Sequence, residues 1–350
     1  MSGSGNSNEL PPAWQFHQLM TSYYVPQAIY VAAQLGLADH LARNPQTAGE
    51  LARATATDPA ALNLLLYALS SIGIFTAAPN GIWQLTPLAT YLQSDTPHSQ
   101  RGWALFHGAV GYRAWAELKQ TIETGGAAFA RAFGDDFYGY MATHRELAAE
   151  WDSAMNQTAR SWLGALTDSY DFSGLTTIVD VGGGQGTLLA MLLQALPYAR
   201  GILLDLPHVV AGAGLVLSAA GVADRCTIVG GNAFQAVPRG GDAYIIARVL
   251  LNWDDASALR LLQSCRHAMH DQARILVIDV VADEAAFAEP GVAFGDLNLL
   301  VQFGGRQRSA EAFRTLFRQA GLSLITIVPT QSHFKILEGR AELPPKDNLV

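Results

Sequence analysis

The segment Ile178-Val179-Asp180-Val181-Gly182-Gly183-Gly184-Gln185-Gly186 restricts what this chain can fold into more than any other. An apolar, β-branched run ends in a tight glycine turn, and the helix-forming TLLAMLLQAL follows at once. Glycines let the backbone approach a ligand closely, and a helix start offers free N–H groups. Strand, turn and helix in that order predict a site for a nucleotide-like ligand. The next predicted strand, GILLD, ends in Asp205, nineteen residues beyond Gly186. A carboxylate there suits the two hydroxyls of a ribose.

The spacing selects among such ligands. A dinucleotide fingerprint beginning at Gly182 and Gly184 requires glycine at position 187, which is Thr187. Asp180 stands two residues before the first glycine. A carboxylate so placed repels a pyrophosphate and suits a cation such as an ammonium group. S-adenosylmethionine, which carries ribose, ammonium and sulfonium, fits better than NAD.

Periodicity divides the chain near residue 170. From 13 to 170 the apolar spacing is helical, as in Val25–Leu41, Asp58–Ile72, Gly102–Thr121 and Arg145–Leu166. From 171 to 338, short β-branched runs alternate with helical stretches: TTIVDV, GILLD, CTIVG, DAYIIARV, RILVIDVV and SLITIV. This alternation predicts an α/β domain with a mostly parallel sheet covered by helices. Residues 1–12 and 339–350 are expected to be frayed tails. Within the first region, residues 45–93 read as helix, helix and a hairpin over Phe75–Thr86 that turns at Pro79-Asn80-Gly81. That is a winged-helix pattern, yet between Pro45 and Gln93 the only Lys or Arg is Arg53. A groove-reading helix needs side chains that reach phosphates and bases. The bare helix Asp58–Gly73 points instead to packing or dimerisation. A formal net charge of −8 and 50% hydrophobic residues agree with no nucleic-acid partner and a sizeable core. No apolar run approaches the ~18 residues of a membrane span. Cys226 and Cys265 provide neither a disulfide framework nor enough sulfur for structural zinc, so no metal site is expected. The expected location is cytoplasmic.

With these residues in view, the chain resembles the small-molecule O-methyltransferases that include plant caffeate-type enzymes and bacterial polyketide and phenazine tailoring enzymes. The similarity runs from about Pro12 to Glu338 through VDVGGGQG, LDLPHVV, GGNAF, DAYIIARVLLNWDD and GGRQRSAEAF. TSYYVPQAIYVAAQLGLADHL, the winged segment, GDDFYGYM and EWDSAM also match. The resemblance implies a Rossmann-like class I methyltransferase domain, an N-terminal helical winged-helix-like dimerisation domain, a homodimer and S-adenosylmethionine. By position it implies that Asp180, Gly182 and Gly184 line the methionine portion and that Asp205 holds the ribose. Asn232 and Ala233 would meet the adenine, and an asparagine carbonyl can still accept from its amino group. Arg248 stands where a lysine is common, and Trp253 would pack near the adenine.

The family pattern breaks at Arg248-Val249-Leu250-Leu251-Asn252-Trp253-Asp254-Asp255. Histidine, the usual general base, is replaced by Leu251, and the following aspartate by Asn252. The two carboxylates that flank that histidine appear as Asp279 and Gln307. Methyl transfer from a sulfonium is an in-line displacement, and a base matters only if the nucleophile must lose a proton. A phenol of pKa ~10 costs ~4 kcal/mol to ionise at pH 7. Leu251 therefore favours acceptors that ionise easily or are already nucleophilic, unless a base comes from elsewhere; oxygen is the expected acceptor atom, with nitrogen or carbon as alternatives. The resemblance also admits a cofactor-retaining hydroxylase or decarboxylase on the same scaffold. His107, in a helix expected to cover the acceptor, is the candidate proton handler; His144, His267, His270 and His333 are further candidates. Met155, Asn252 and Phe303 are expected to touch a small aromatic acceptor, with Trp115, Phe137 and Tyr138 as apolar lining.

Overall fold

The computed structural model describes residues 10–96, 98–282 and 285–342. Those up to Tyr112 form one compact unit and those from Arg113 a second.

The first unit opens with helix Pro12–Thr21, so the expected tail ends one residue earlier, and residues 1–9 lie outside the described residues. The single helix expected over Val25–Leu41 is two, Tyr24–Gln34 and Leu37–Arg43. Gly36 separates them at φ +62°, a left-handed backbone that a helix interior does not accommodate. The winged segment forms as read. Thr47 and Glu50 close a capping box on helix Ala48–Thr55, and the Asp58 carboxylate accepts from Ala61 N–H at 2.8 Å to start helix Pro59–Ser70. Strands β1 (Gln46–Thr47), β2 (Phe75–Ala77) and β3 (Ile82–Leu85) form a small antiparallel sheet in the order β1-β3-β2. Leu37, Leu51, Leu66, Leu69, Phe75 and Trp83 fill this unit's core. Leu64 and Tyr67 on the outer side of helix Pro59–Ser70 stay exposed, as do Trp14, Phe16, Leu19 and Met20. The expected helix over Gly102–Thr121 is interrupted. It runs as Arg101–Phe106, a wider π turn over His107–Gly111, then Tyr112–Trp115 and Leu118–Thr124.

The second unit is built on a seven-stranded sheet of β4 (Thr177–Val181), β5 (Arg200–Asp205), β6 (Cys226–Gly230), β7 (Ala243–Ala247), β8 (Arg274–Val280), β9 (Leu322–Pro329) and β10 (Phe334–Ala341). Their order is β6-β5-β4-β7-β8-β10-β9; β4 to β8 pair in parallel and β10 runs antiparallel to both neighbours. Alternate residues supply opposite faces, which is why the strands read as unbroken apolar runs. Ile178, Ala243 and Ile245 join one core; Val179, Val181, Tyr244 and Ile246 join the other. The chain leaves β4 toward β5 on one side and resumes on its other side at β7. The crevice beyond the carboxyl ends of β4, β5 and β7 is thus the topological switch point.

The change of periodicity near 170 and the division of packing differ in place. Helix Arg145–Thr167 sends Trp162 and Leu166 into the core of the sheet, which groups residues 113–167 with the second unit. Strand β10 was not among the expected runs. Gly339–Ala341, expected to fray, pair with β8 and β9, because a strand with two neighbours satisfies its backbone on both sides. The rest of that expected tail, 343–350, lies outside the described residues.

Candidate active site

The glycine turn follows β4 directly. Gly182, Gly184 and Gly186 adopt φ of +71°, +63° and +83°, left-handed values that explain the G-x-G-x-G spacing. Gly182 N–H donates to Leu204 O at 2.8 Å, and Gly184 N–H donates to Asp205 Oδ2 at 2.7 Å, tying the turn to the end of β5. Leu206 N–H donates to Asp205 Oδ1 at 2.7 Å. A β-carbon added to Gly184 would meet nothing within 4 Å, so space is open beside the turn.

A third element holds the turn from the helical side. On helix Arg145–Thr167, Asp152 Oδ2 accepts from Gln185 Nε2 at 3.1 Å and Asn156 Nδ2 donates to Gln185 Oε1 at 3.0 Å. Thr187 Oγ donates to Asn156 Oδ1 at 2.8 Å. Sequence alone gives Gln185 and Asp152 only as parts of motifs and does not single out Asp152, Asn156 or Gln185 as residues of the site.

Negative charge dominates this crevice. Asp180 is buried, and neither of its oxygens has a hydrogen-bond partner. Burial, then the charge of Asp205, pushes its carboxyl up to about 7. The same two causes push Asp152 up to about 6, against the Gln185 hydrogen bond, and burial raises Asp205 itself. Such a set is relieved by a cation and strained by an anion. Open space beside left-handed glycines, a ribose-suited carboxylate and an orphaned buried aspartate fit S-adenosylmethionine.

Beyond β6, Asn232 is exposed and its side-chain carbonyl accepts from Phe234 N–H at 2.9 Å. One oxygen lone pair remains for an adenine amino group. Ala233 and Phe234 pack on the sheet's second core beside Trp253. Trp253 keeps a buried indole N–H without a partner, is met edge-on by Phe234 at 4.8 Å and stacks on Tyr138 at 5.3 Å. Arg248 takes another direction. It is left-handed at φ +58°, and its guanidinium lies 5.5 Å over the ring of Phe334, on a strand three places from β4 in the sheet.

The turn Leu250–Asn252 is held on all sides. Asp279 Oδ2 accepts from Leu251 N–H at 3.2 Å. Buried Arg308 donates to Leu250 O at 2.8 Å, to Trp253 O at 2.6 Å and to Asp255 Oδ1 at 2.9 Å. Arg306 also pairs with Asp255. A β-carbon on Gly305 would lie 2.1 Å from Leu251 O, so only glycine admits this approach. The backbone of Leu251 is thereby fixed from both sides. Asn252 Nδ2 donates to the Tyr138 hydroxyl at 3.0 Å. Tyr138 is positioned by helix Phe137–Thr143, whose start is capped by Asp136 accepting from Gly139 N–H at 2.9 Å. Its phenol is driven well above the usual range by burial and by Asp205, so it stays protonated and cannot serve as a base. Phe303 stacks at 6.2 Å on Tyr138 and meets Phe137 edge-on at 4.7 Å, forming an aromatic wall with Trp151. Met155 lies one helical turn after Asp152 on the same helix. Trp115 Nε1 donates to Asn298 Oδ1 at 2.8 Å, so it is a hydrogen-bonding residue as well as lining. Gln307 keeps a buried side-chain oxygen without a partner.

The candidate histidines have other surroundings. His107 lies in the first unit and stacks on Trp103 at 5.1 Å, and desolvation under that stacking lowers its proton affinity. His144 ends a helix and stacks on Tyr140, His267 meets Arg239, and His270 lies 3.7 Å from Asp242. His333 packs on Phe334, its proton affinity lowered by burial and by Arg248.

The sheet order, the glycine turn on its first strand and the anionic crevice at the switch point define a class I methyltransferase. The comparisons give the same class. Residues 115–323 match the model of the O-methyltransferase domain, and residues 17–95 that of the O-methyltransferase dimerisation domain. Phenazine O-methyltransferase PhzM of Lysobacter antibioticus is 40% identical over 97% of this chain and 99% of its own length. The 3-amino-4-hydroxybenzoate 4-O-methyltransferase of Streptomyces cremeus is 36% identical over 90% of this chain and 87% of its own. Among solved structures, an O-methyltransferase from neocarzinostatin biosynthesis, in complex with S-adenosylmethionine and 2-hydroxy-5-methyl naphthoic acid, superposes with TM-score 0.81. It is 33% identical and covers 91% of this chain and 96% of its own. The chain belongs to the O-methyltransferase family and is a methyltransferase that uses S-adenosylmethionine. These matches favour methyl transfer over the hydroxylase or decarboxylase alternative. The first unit carries the family's dimerisation domain, so the assembly is a homodimer. No helix among the described residues is long and apolar enough to cross a membrane.

Proposed function

We propose that this enzyme methylates an oxygen of a small aromatic secondary metabolite without a general base, and that it acts in the cytoplasm. The observation that carries the reading is Leu251, an aliphatic side chain on a clamped turn at the position where the family's base stands. S-adenosylmethionine supplies an electrophilic methyl group on a sulfonium. The chain's own residues bind and orient. Asp180, Gly182, Gly184 and Asp205 hold the methionine and ribose portions, and Asn232, Ala233 and Trp253 hold the adenine. Met155, Asn252, Tyr138 and Phe303 face the acceptor: the aromatic wall excludes water, and the protonated Tyr138 hydroxyl can donate a hydrogen bond to an acceptor oxygen. Relatives' names support the acceptor class, since they include a hydroxybenzoate and a dihydroxynaphthoate. Without a base, alignment does the work, and well-oriented reactants gain up to ~7–11 kcal/mol from proximity.

A screen of hydroxylated benzoates, naphthoates and phenazines with methyl-labelled cofactor tests this, read by product mass and fragmentation. Label on an aromatic oxygen supports the reading. Label transfer to nitrogen or carbon across the whole panel would refute the choice of acceptor atom.

A further inference from the structure

Helix Arg145–Thr167 brings a carboxylate to the cofactor crevice that neither the glycine motif nor the strand ends supply. Asp152 Oδ2 accepts from Gln185 inside the glycine turn, and its second oxygen has no hydrogen-bond donor among the described residues. No Lys or Arg pairs with Asp152, Asp180 or Asp205 among the described residues, and Asp180 is fully buried without any partner. His208 lies near Asp205 as a basic neighbour, but no Lys or Arg among the described residues neutralises the three carboxylates. An orphaned, buried carboxylate against the turn marks the missing charge as a ligand's.

We propose that Asp152 is a third carboxylate of the cofactor site and that, with Asp180 and Asp205, it favours the positively charged methyl donor over the uncharged sulfur of the product. The proposal rests on the cofactor assignment and extends it to product release. Methyl transfer leaves the carbon–sulfur bonding pair on sulfur. The cofactor loses one positive charge, and the acceptor oxygen gains the methyl while giving up its negative charge, or releasing its proton to water. S-adenosylhomocysteine keeps the ribose, adenine and ammonium contacts, so only interactions that sense the sulfonium weaken at that moment. Asp152 and Met155 lie three residues apart and share one face of the helix, which places the charge beside an acceptor-facing position.

Calorimetric titration of the intact protein with each form separates the roles. Asp152→Asn keeps the shape and can still accept from Gln185. It should weaken S-adenosylmethionine binding by about tenfold and S-adenosylhomocysteine binding by less than about twofold. Asp152→Glu, which keeps the charge, should preserve the wild-type ratio of the two affinities. Equal losses for both forms in Asp152→Asn, or no loss for either, would overturn the proposal, as would a changed ratio in Asp152→Glu. Wild-type protein that binds neither form would overturn the cofactor assignment itself.

Discussion

Asp180 has an ordinary carboxylate's chemistry until burial and the nearby Asp205 act on it. Its proton affinity is raised in the folded chain to about 7, against 3.8 for the free group. Between these values the folded state holds a proton that the unfolded state has lost, so Asp180's contribution to stability falls as pH rises through that window. Cofactor binding runs the other way, because a cation prefers the ionised carboxylates. With Asp152 at about 6 and Asp205 also raised, affinity for S-adenosylmethionine should increase by about an order of magnitude from about pH 6 to about pH 8. Calorimetry across that range checks this, and Asp180→Asn should flatten the dependence. At the base position, Leu251→His should leave cofactor affinity within a few-fold, since the turn is fixed by its backbone. If the native acceptor needs no base, kcat near neutral pH should not rise. A large gain would show that proton removal limits the wild-type enzyme.

The turn Leu250–Asn252 depends on partners from other elements, so it can be tested as a unit. Gly305→Ala would press a methyl against Leu251 O and Asn252. It should lower stability by about 1–3 kcal/mol, read from the denaturant midpoint, and lower kcat with it. Tyr138→Phe removes the hydrogen bond from Asn252 but keeps the stacking on Trp253. It should cost activity while changing melting temperature little. These elements also show what was legible in the sequence. The glycine turn and Asp205 are contiguous strand-turn-helix text, and the sheet's apolar runs name themselves. In segment 45–93, the helical periodicity and the Pro79-Asn80-Gly81 turn make two helices and a hairpin legible. Asp152, 33 residues from its partner Gln185, and Tyr138, 114 from Asn252, join the site only through packing. Tyr138 reads as apolar lining until Asn252 and Asp205 surround its hydroxyl. Strand β10 escaped because FKILEGRA mixes charge and glycine with apolar residues, although it is paired on both sides and mostly buried. Arg248 stands at a lysine position of the motif in sequence, but its backbone is left-handed and its guanidinium lies over Phe334.

At the scale of the molecule, apolar residues outnumber what the cores need. Leu64 and Tyr67, with Trp14, Phe16, Leu19 and Met20, leave an exposed apolar surface on the dimerisation unit. Placing charge on it, as in Leu19→Asp with Leu64→Asp, should shift the protein from dimer to monomer in light scattering coupled to gel filtration. The chemistry itself is methyl transfer by orientation, with no enzymic base at Leu251. The most direct measurement is the pH dependence of kcat at saturating cofactor for two accepted phenols whose own pKa values differ by about 2 units. The midpoint of the rising limb should move with the acceptor's pKa by a comparable amount. A single midpoint near ~6.5 shared by both acceptors, the signature of an imidazole base, would contradict it.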